Sequence, residues 1–313
     1  MPTLLLFAVC VLVWGTTWFA ITAQLAAIAP EVGVALRFGL AAAILLGWCA
    51  VRALPLGFGW RHHRWFALQG LAGFSISYVF IYHAERFIVS GVVAVGYAAS
   101  PLVVMVMARL FNGTPMSRRV AAGGALGLAG VALIFSHEFA RLGASENAAL
   151  GAVLAASAVL LSGVATIAAT RYQRDGVKGW APLAWAMLYG ALGSLVSAWL
   201  ARRSFAIEWS VPFVASLGYL TLAGSIVAFG AFYGLVHRIG PARAGYVGVM
   251  TPIVALLVSW WLEGFVWTGE TLAGVALALA GNVIALWQPR AGAGPVAVPP
   301  ANQAKASSTT TGA

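Results

Sequence analysis

The sequence predicts an all-α integral membrane protein, ten transmembrane helices arranged as two inverted five-helix repeats. Three observations predict it. First, 61% of the 313 residues are hydrophobic and 8% are charged, with a mean hydropathy of +0.91. A water-soluble domain carries about 25% charged residues, so this chain lacks the groups to cover itself for water. Second, apolar runs near the ~20 residues that a bilayer requires recur ten times. They fall at about 4–24, 31–51, 65–84, 88–109, 119–136, 149–170, 179–200, 212–236, 241–262 and 268–287. Third, the chain repeats itself. Tyr97-Ala98-Ala99-Ser100-Pro101 has a twin in Gly248-Val249-Met250-Thr251-Pro252, and the 151-residue offset between the prolines aligns the halves without a gap. Gly73 falls on Gly224, Tyr82 on Tyr233, Ile88 on Ile239, Val103 on Val254, Gly113 on Gly264 and Gly123 on Gly274. Such a repeat has to be found before any fold is assigned.

The repeat maps spans three to five onto eight to ten, so each half holds five spans: residues 1–140 and 141–290. An odd number of spans turns the second half upside down relative to the first. That is the architecture in which a midplane site is exposed to each side in turn. Orientation follows from the cations. The loops after spans two, four, six and eight, with the tail, hold 13 Lys and Arg, against 4 in the other loops, leaving Arg37 inside span two. Both termini are therefore expected in the cytoplasm, and the net charge of +10 reflects topology rather than nucleic-acid binding. Residues 291–313 turn to Gly, Pro, Ser and Thr without apolar periodicity, the composition of a disordered tail. Cys10 and Cys49 sit inside apolar runs and read as small buried hydrophobes.

Taken span by span, the polar and aromatic residues suggest an internal path. Span one carries Trp14 near its middle, with Thr17 and Trp18 beside it. A tryptophan at that depth needs a wet cavity or a hydrogen-bond partner for its N–H, and both readings stand. Arg37 in span two lies near the outer end, where it snorkels, pairs with Glu31 or meets a substrate carboxylate. In span three Ser75, Tyr78 and Tyr82 share one helical face, matched in the repeat by Ile226, Phe229 and Tyr233. This face either lines a cavity or packs on a neighbour. His83 follows as a gate residue or an interfacial hydrogen-bonding group. In spans four and nine Pro101 and Pro252 remove a backbone donor and bend or break a helix. Ser100 and Thr251 precede them, and Tyr97 and Tyr246 lie about a turn away. Span seven adds Trp185 and Tyr189 on one face. Spans five and ten carry Gly123, Gly127 and Gly130 against Gly274, Ala278 and Gly281, small-residue stripes for close helix packing or for dimerisation.

Ten spans in two inverted halves, Trp14-Gly15, Arg37, the paired prolines and the Gly/Ala-rich stretches Val120–Ile134 and Thr271–Ala285 together resemble the EamA-type branch of the drug/metabolite transporter superfamily. The resemblance runs from about Leu4 to Trp287, and within that branch the chain looks most like the YddG-type exporters of aromatic and other neutral amino acids. One departure is plain: the second half lacks the tryptophan that often opens span six in such proteins, and Trp14-Gly15 laid on it meets Ser162-Gly163. The resemblance implies a secondary transporter in a bacterial inner membrane, exporting small metabolites by alternating access through an aromatic-lined cavity. A lipid or lipid-linked sugar flippase of the same superfamily is the alternative. Expected partners are a small-molecule substrate and the bilayer, with the chain a monomer or weak homodimer. No cofactor or metal is expected, and the absence of H-E-x-x-H, of G-x-S-x-G and of paired mid-membrane carboxylates argues against an enzyme.

Overall fold

The computed structural model describes residues 1–113, 117–141 and 146–286; the tail expected from residue 291 lies outside them. The described residues form helices and connecting loops, without a strand. In chain order the helices are α1 (Thr3–Leu25), α2 (Pro30–Val51), α3 (Trp60–Ala84), α4 (Ser90–Asn112), α5 (Arg118–Arg141), α6 (Glu146–Arg174), α7 (Trp180–Leu200), α8 (Val211–Ala244), α9 (Tyr246–Leu262) and α10 (Gly269–Leu286). Eight have the length and apolarity to cross a membrane, and Tyr246–Leu262 and Gly269–Ala285 are shorter apolar helices. Span nine was expected to begin near residue 241. It begins at Tyr246, because the helix from Ala228 continues to Ala244.

Local chemistry sets the ends. Proline opens α2 at Pro30 and α8 at Pro212, where its missing N–H is one the first helical turn leaves unpaired anyway. At α8 the Ser210 hydroxyl accepts from the Phe213 amide at 3.3 Å. Gly113 closes α4 with φ 65°, and its repeat mate Gly264 follows α9 with φ 69°; only glycine adopts that left-handed conformation without a steric penalty.

The twin prolines act differently. Before Pro101 the chain tightens, with the Ala98 amide bonded to both Ala94 and Val95 carbonyls and Ala99 to Gly96. This divides α4 into Ser90–Tyr97 and Ser100–Asn112. Pro252 instead lies within a continuous α9, where the preceding Thr251 hydroxyl donates to the Val247 carbonyl at 2.8 Å.

The bundle has a recognisable pairing scheme. α2 packs on α7, α5 on α10 and α4 on α9; α1 packs on α8 and α9, while α6 packs on α3 and α4. α3 also meets α7, and α8 meets α2. Exchanging α1–α5 for α6–α10 leaves these principal contacts unchanged. The same correspondence appears in the backbone. α3 is wound as a π-helix over Gly70–Ile76 and α8 over Leu220–Val227, positions 151 residues apart to within one residue. Such segments inside α-helices often mark functional sites.

Outside, Leu4, Leu12, Leu110, Leu160 and Val196 are exposed to the surrounding apolar solvent. Trp48 and Trp60 at one end, with Trp199, Trp209, Trp260 and Trp261 at the other, are also exposed, as expected of aromatic belts at the two membrane surfaces.

The small-residue stripes of α5 and α10 face each other within the chain. A Cβ on Gly281 would stand 2.3 Å from the Gly127 amide nitrogen, and one on Gly130 would stand 2.4 Å from that of Ala278. Gly281→Val should therefore force the helices apart and cost about 1–3 kcal/mol, read as a lower melting temperature in detergent. Gly218, with nothing within 4 Å of its missing Cβ, is the control: Gly218→Ala should be neutral or stabilise by up to about 1 kcal/mol.

Candidate functional site

A cavity of about 370 Å³ lies between α1, α3, α4, α6, α8 and α9. Helical spacing in α1 turns Trp14, Trp18 and Ile21 to it together with Thr17. α3 adds Gln69, Phe74 and Tyr78; α4 adds Tyr97 and Ser100; α8 adds Phe229, Phe232 and Tyr233. The aromatic rings interlock: Trp14 meets Phe229 edge-on at 5.2 Å and Phe232 at 5.4 Å, and Trp18 lies 5.6 Å from Tyr97. The Trp14 indole donates to the Gly224 carbonyl at 3.1 Å. Both readings of Trp14 therefore hold at once: the ring lines the cavity while its N–H is bonded to a neighbouring helix.

Several hydroxyls in the wall are already spent on their own helices. Thr17 donates to Trp14, Ser162 to Val159, Thr166 to Ser162 and Thr251 to Val247, each to a backbone carbonyl at 2.7–2.8 Å. Among the described residues Arg37 is the one charged side chain in the wall, and no carboxylate lies there.

The cavity reaches the end of the bundle that carries the basic loops, where Gln173 and Thr166 are exposed. At the opposite end hydrogen bonds join α4 to α9. Glu263, just past α9, accepts from the Ser90 hydroxyl at 2.5 Å and its amide at 3.4 Å, and from the Ser259 hydroxyl. Ser259 in turn accepts from the Gly91 amide at 2.9 Å. A carboxylate thus sits on the N-terminus of α4, the favourable end of a helix dipole for an anion. Beside it, Glu31 accepts from His83 Nε2 at 2.9 Å and Arg203 Nε at 3.1 Å. Glu85, in the loop between α3 and α4, has both carboxyl oxygens buried without a partner. Burial and the neighbouring Glu263 push it well above the usual carboxylate range, against a smaller opposing pull from Arg37.

The structure brings eight of the expected substrate residues to one cavity: Trp14, Thr17, Trp18, Tyr78, Tyr97, Ser100, Phe229 and Tyr233, with Pro252 beside them. Others lie elsewhere. Ser75 accepts from Ser194 of α7 at 2.9 Å, because its side of the π-helical segment faces that helix rather than the cavity. Tyr82 is fully buried and donates to Gln24 at 2.9 Å, and His83 is engaged by Glu31. Trp185 donates to the Leu56 carbonyl at 3.1 Å, within a separate cluster of Phe66, Tyr172 and Tyr189. Tyr246 is half-buried at the start of α9, and Pro101 stands at the break in α4.

Sequence reasoning set Arg37 apart as a structural pair for Glu31 as readily as a site residue. That pair does not form: Glu31 is bonded through Oε1 to His83 and Arg203 instead. Arg37 is instead 1% exposed, with its Nε donating to Ser225 at 3.1 Å. Its intramembrane charge was the signal available. Ser162, discounted for lacking the usual tryptophan, is also in the wall.

Comparisons with known proteins agree with this architecture. The profile of the EamA-like transporter family matches residues 1–136 and again 149–287. The uncharacterized inner membrane transporter YedA of Escherichia coli strain K12 is 27% identical over 282 residues, covering 89% of this chain and 87% of YedA. Protein PecM of Dickeya dadantii is 26% identical, covering 87% of this chain and 85% of PecM. A crystal structure superposes with a TM-score of 0.66 over 90% of this chain and 96% of its own, at 19% identity, which speaks to the fold alone.

Glu85 gives the region a pH signature. Its folded form keeps the proton to a pH above 4.5, the ordinary value at which the unfolded chain releases it. Its contribution to stability is thus complete below about 4.5 and is lost as pH rises toward the folded value. Thermal unfolding in detergent across pH 4–8 should show this decline in the wild type and a shallower one in Glu85→Gln. Equal slopes would mean that Glu85 is not held neutral.

Proposed function

The chain belongs to the EamA-like transporter family, and from that premise we propose that it exports small metabolites, aromatic and other neutral amino acids above all, by alternating access through the aromatic cavity. That it is a membrane transporter follows from the family and from the apolar helices. The substrate and the mechanism are our reading. The observation that carries it is the cavity itself: about 370 Å³, within the range that small-molecule sites occupy. It is lined mainly by rings, open at one end of the bundle and closed at the other.

The closed and open ends correspond through the proposed inverted repeat of residues 1–140 and 141–290. The closing groups Ser90, Ser259 and Glu263 have Pro241, Ala108 and Asn112 at their repeat positions. Proline has no amide hydrogen and alanine no hydroxyl, so the same latch has no chemical counterpart at the basic end. In this reading the conformer is open to the cytoplasm. Rocking of α4 and α9 about their mutual contact would release the latch and expose the cavity to the outside.

Two measurements test the reading. Proteoliposomes offered a panel of labelled amino acids should accumulate aromatic and neutral ones above protein-free vesicles. Trp14→Ala and Tyr78→Ala should lower that rate roughly tenfold, about 1.4 kcal/mol, with insertion unchanged; transport of none of the panel would remove the substrate assignment. For the latch, Ala94, on the cavity wall near the closed end, is replaced by cysteine in a background lacking Cys10 and Cys49. Adding Ser259→Ala and Glu263→Gln should raise its labelling by an impermeant thiol reagent from outside the cell several-fold. An unchanged rate would show that these groups do not hold the gate.

A further inference from the structure

We propose that Arg37 is the receptor for a carboxylate on the transported molecule, so that the cavity selects solutes with an apolar or aromatic body and one carboxylate. This rests on the reading that the cavity is the transport site. The first observation is an unbalanced charge. Arg37 is 1% exposed and part of the cavity wall, and among the described residues its Nη1 has no hydrogen-bond partner and its guanidinium makes no ion pair. A cation buried within a membrane span is costly and is retained where it serves a pathway or finds a partner.

Neighbouring acids do not supply that partner. Glu31 is taken by His83 and Arg203, and Glu263 by Ser90 and Ser259. Glu85 is near enough to feel Arg37, but its carboxyl oxygens make no hydrogen bond, and burial and the neighbouring Glu263 act against its ionisation. Among the described residues Arg37 thus stands without an ion pair at an apolar cavity.

The second observation is that the guanidinium is held in place. Its Nε donates to Ser225, whose own hydroxyl donates to Leu220 within the π-helical segment. Its plane lies against Tyr78 at 4.8 Å and Phe38 at 5.0 Å, the attraction of a cation for an aromatic face. Gly224 leaves the space: a Cβ there would stand 3.3 Å from Nη2 and 2.8 Å from the Thr17 methyl. A fixed guanidinium with a free nitrogen matches a carboxylate, whose two oxygens meet its planar fork. The wall hydroxyls that have spent their hydrogens on backbone carbonyls offer an anion no competing donor. A single cation suits a single negative charge, and a doubly charged phosphate would leave excess charge in the apolar site.

The test is binding to purified protein in detergent micelles, followed by the change in tryptophan fluorescence, to which Trp14 and Trp18 in the cavity wall contribute. The probes are L-phenylalanine against its amide, and 3-phenylpropionate against 3-phenylpropanol; the second pair differs by the carboxylate without an ammonium group in either member. In the wild type each acid should bind at least tenfold tighter than its partner lacking the carboxylate. Arg37→Gln should abolish both preferences, and Arg37→Lys, which keeps the charge, should retain part of them. Elution of each variant as a monodisperse species on gel filtration checks that it is folded. Equal binding of 3-phenylpropionate and 3-phenylpropanol by the wild type, failure of both acids to bind, or a preference of phenylpropionate over its alcohol surviving in Arg37→Gln would overturn the proposal. Binding of phenylpropionate over its alcohol without binding of phenylalanine would uphold Arg37 and overturn the amino-acid reading.

Discussion

Lipid offers no hydrogen bonds, and the whole arrangement follows from that constraint. Every backbone group in the spans must be satisfied within the chain, which leaves helices as the building element for runs of this length. Polar side chains then have three places to go: their own helix, a neighbouring helix or a water-filled interior. All three occur. Thr17 and Thr251 bond back to their own carbonyls, and Ser75 meets Ser194 across a helix contact. Gln173 and Thr166 lie at the mouth of the cavity. Arg37 Nη1 and the Glu85 carboxyl are among the buried polar groups that find none of these outlets.

The same constraint explains the role of small residues. With no hydrophobic effect to draw helices together, close contact of backbones must do so. The α5–α10 pair is built from glycines placed where any Cβ would collide. The Gly70 and Gly190 surfaces do the same for α3 and α7, where a Cβ on Gly70 would fall 2.2 Å from the Ala186 carbonyl. These contacts fix the periphery, while the aromatic helices around the cavity meet through side chains rather than backbones.

Chemical asymmetry is laid over a near-symmetric frame. The pairing of helices is unchanged when the halves are exchanged, and the π-helical segments fall at matching positions. Ser90 and Ser259 fall on Pro241 and Ala108 in the repeat and the carboxylate of Glu263 on the uncharged Asn112, so the hydrogen bonds that join α4 to α9 at one end are not encoded at the other.

Most of the frame was legible in the chain. Composition excludes a soluble fold, run length and number define the helices, and Gly113 and Gly264, paired in the repeat, share a left-handed turn. These properties are local: they depend on hydropathy, spacing and the φ that glycine permits, so they can be read one segment at a time. The site was legible only in part. The spacing of Ser75, Tyr78 and Tyr82 says that they share a face but not what that face meets. Tertiary packing turned Tyr78 to the cavity, Ser75 to α7 and Tyr82 to Gln24. Arg37 announced itself as an intramembrane charge, yet its lack of an acidic partner became visible only once Glu31 was seen to be engaged by His83 and Arg203. The sequence by itself determined an all-helical membrane protein with a repeat, because lipid and helix geometry act on each segment alone. Only the tertiary structure decided which polar groups satisfy one another and which face an open cavity, because that depends on neighbours some 30 to 220 residues away along the chain.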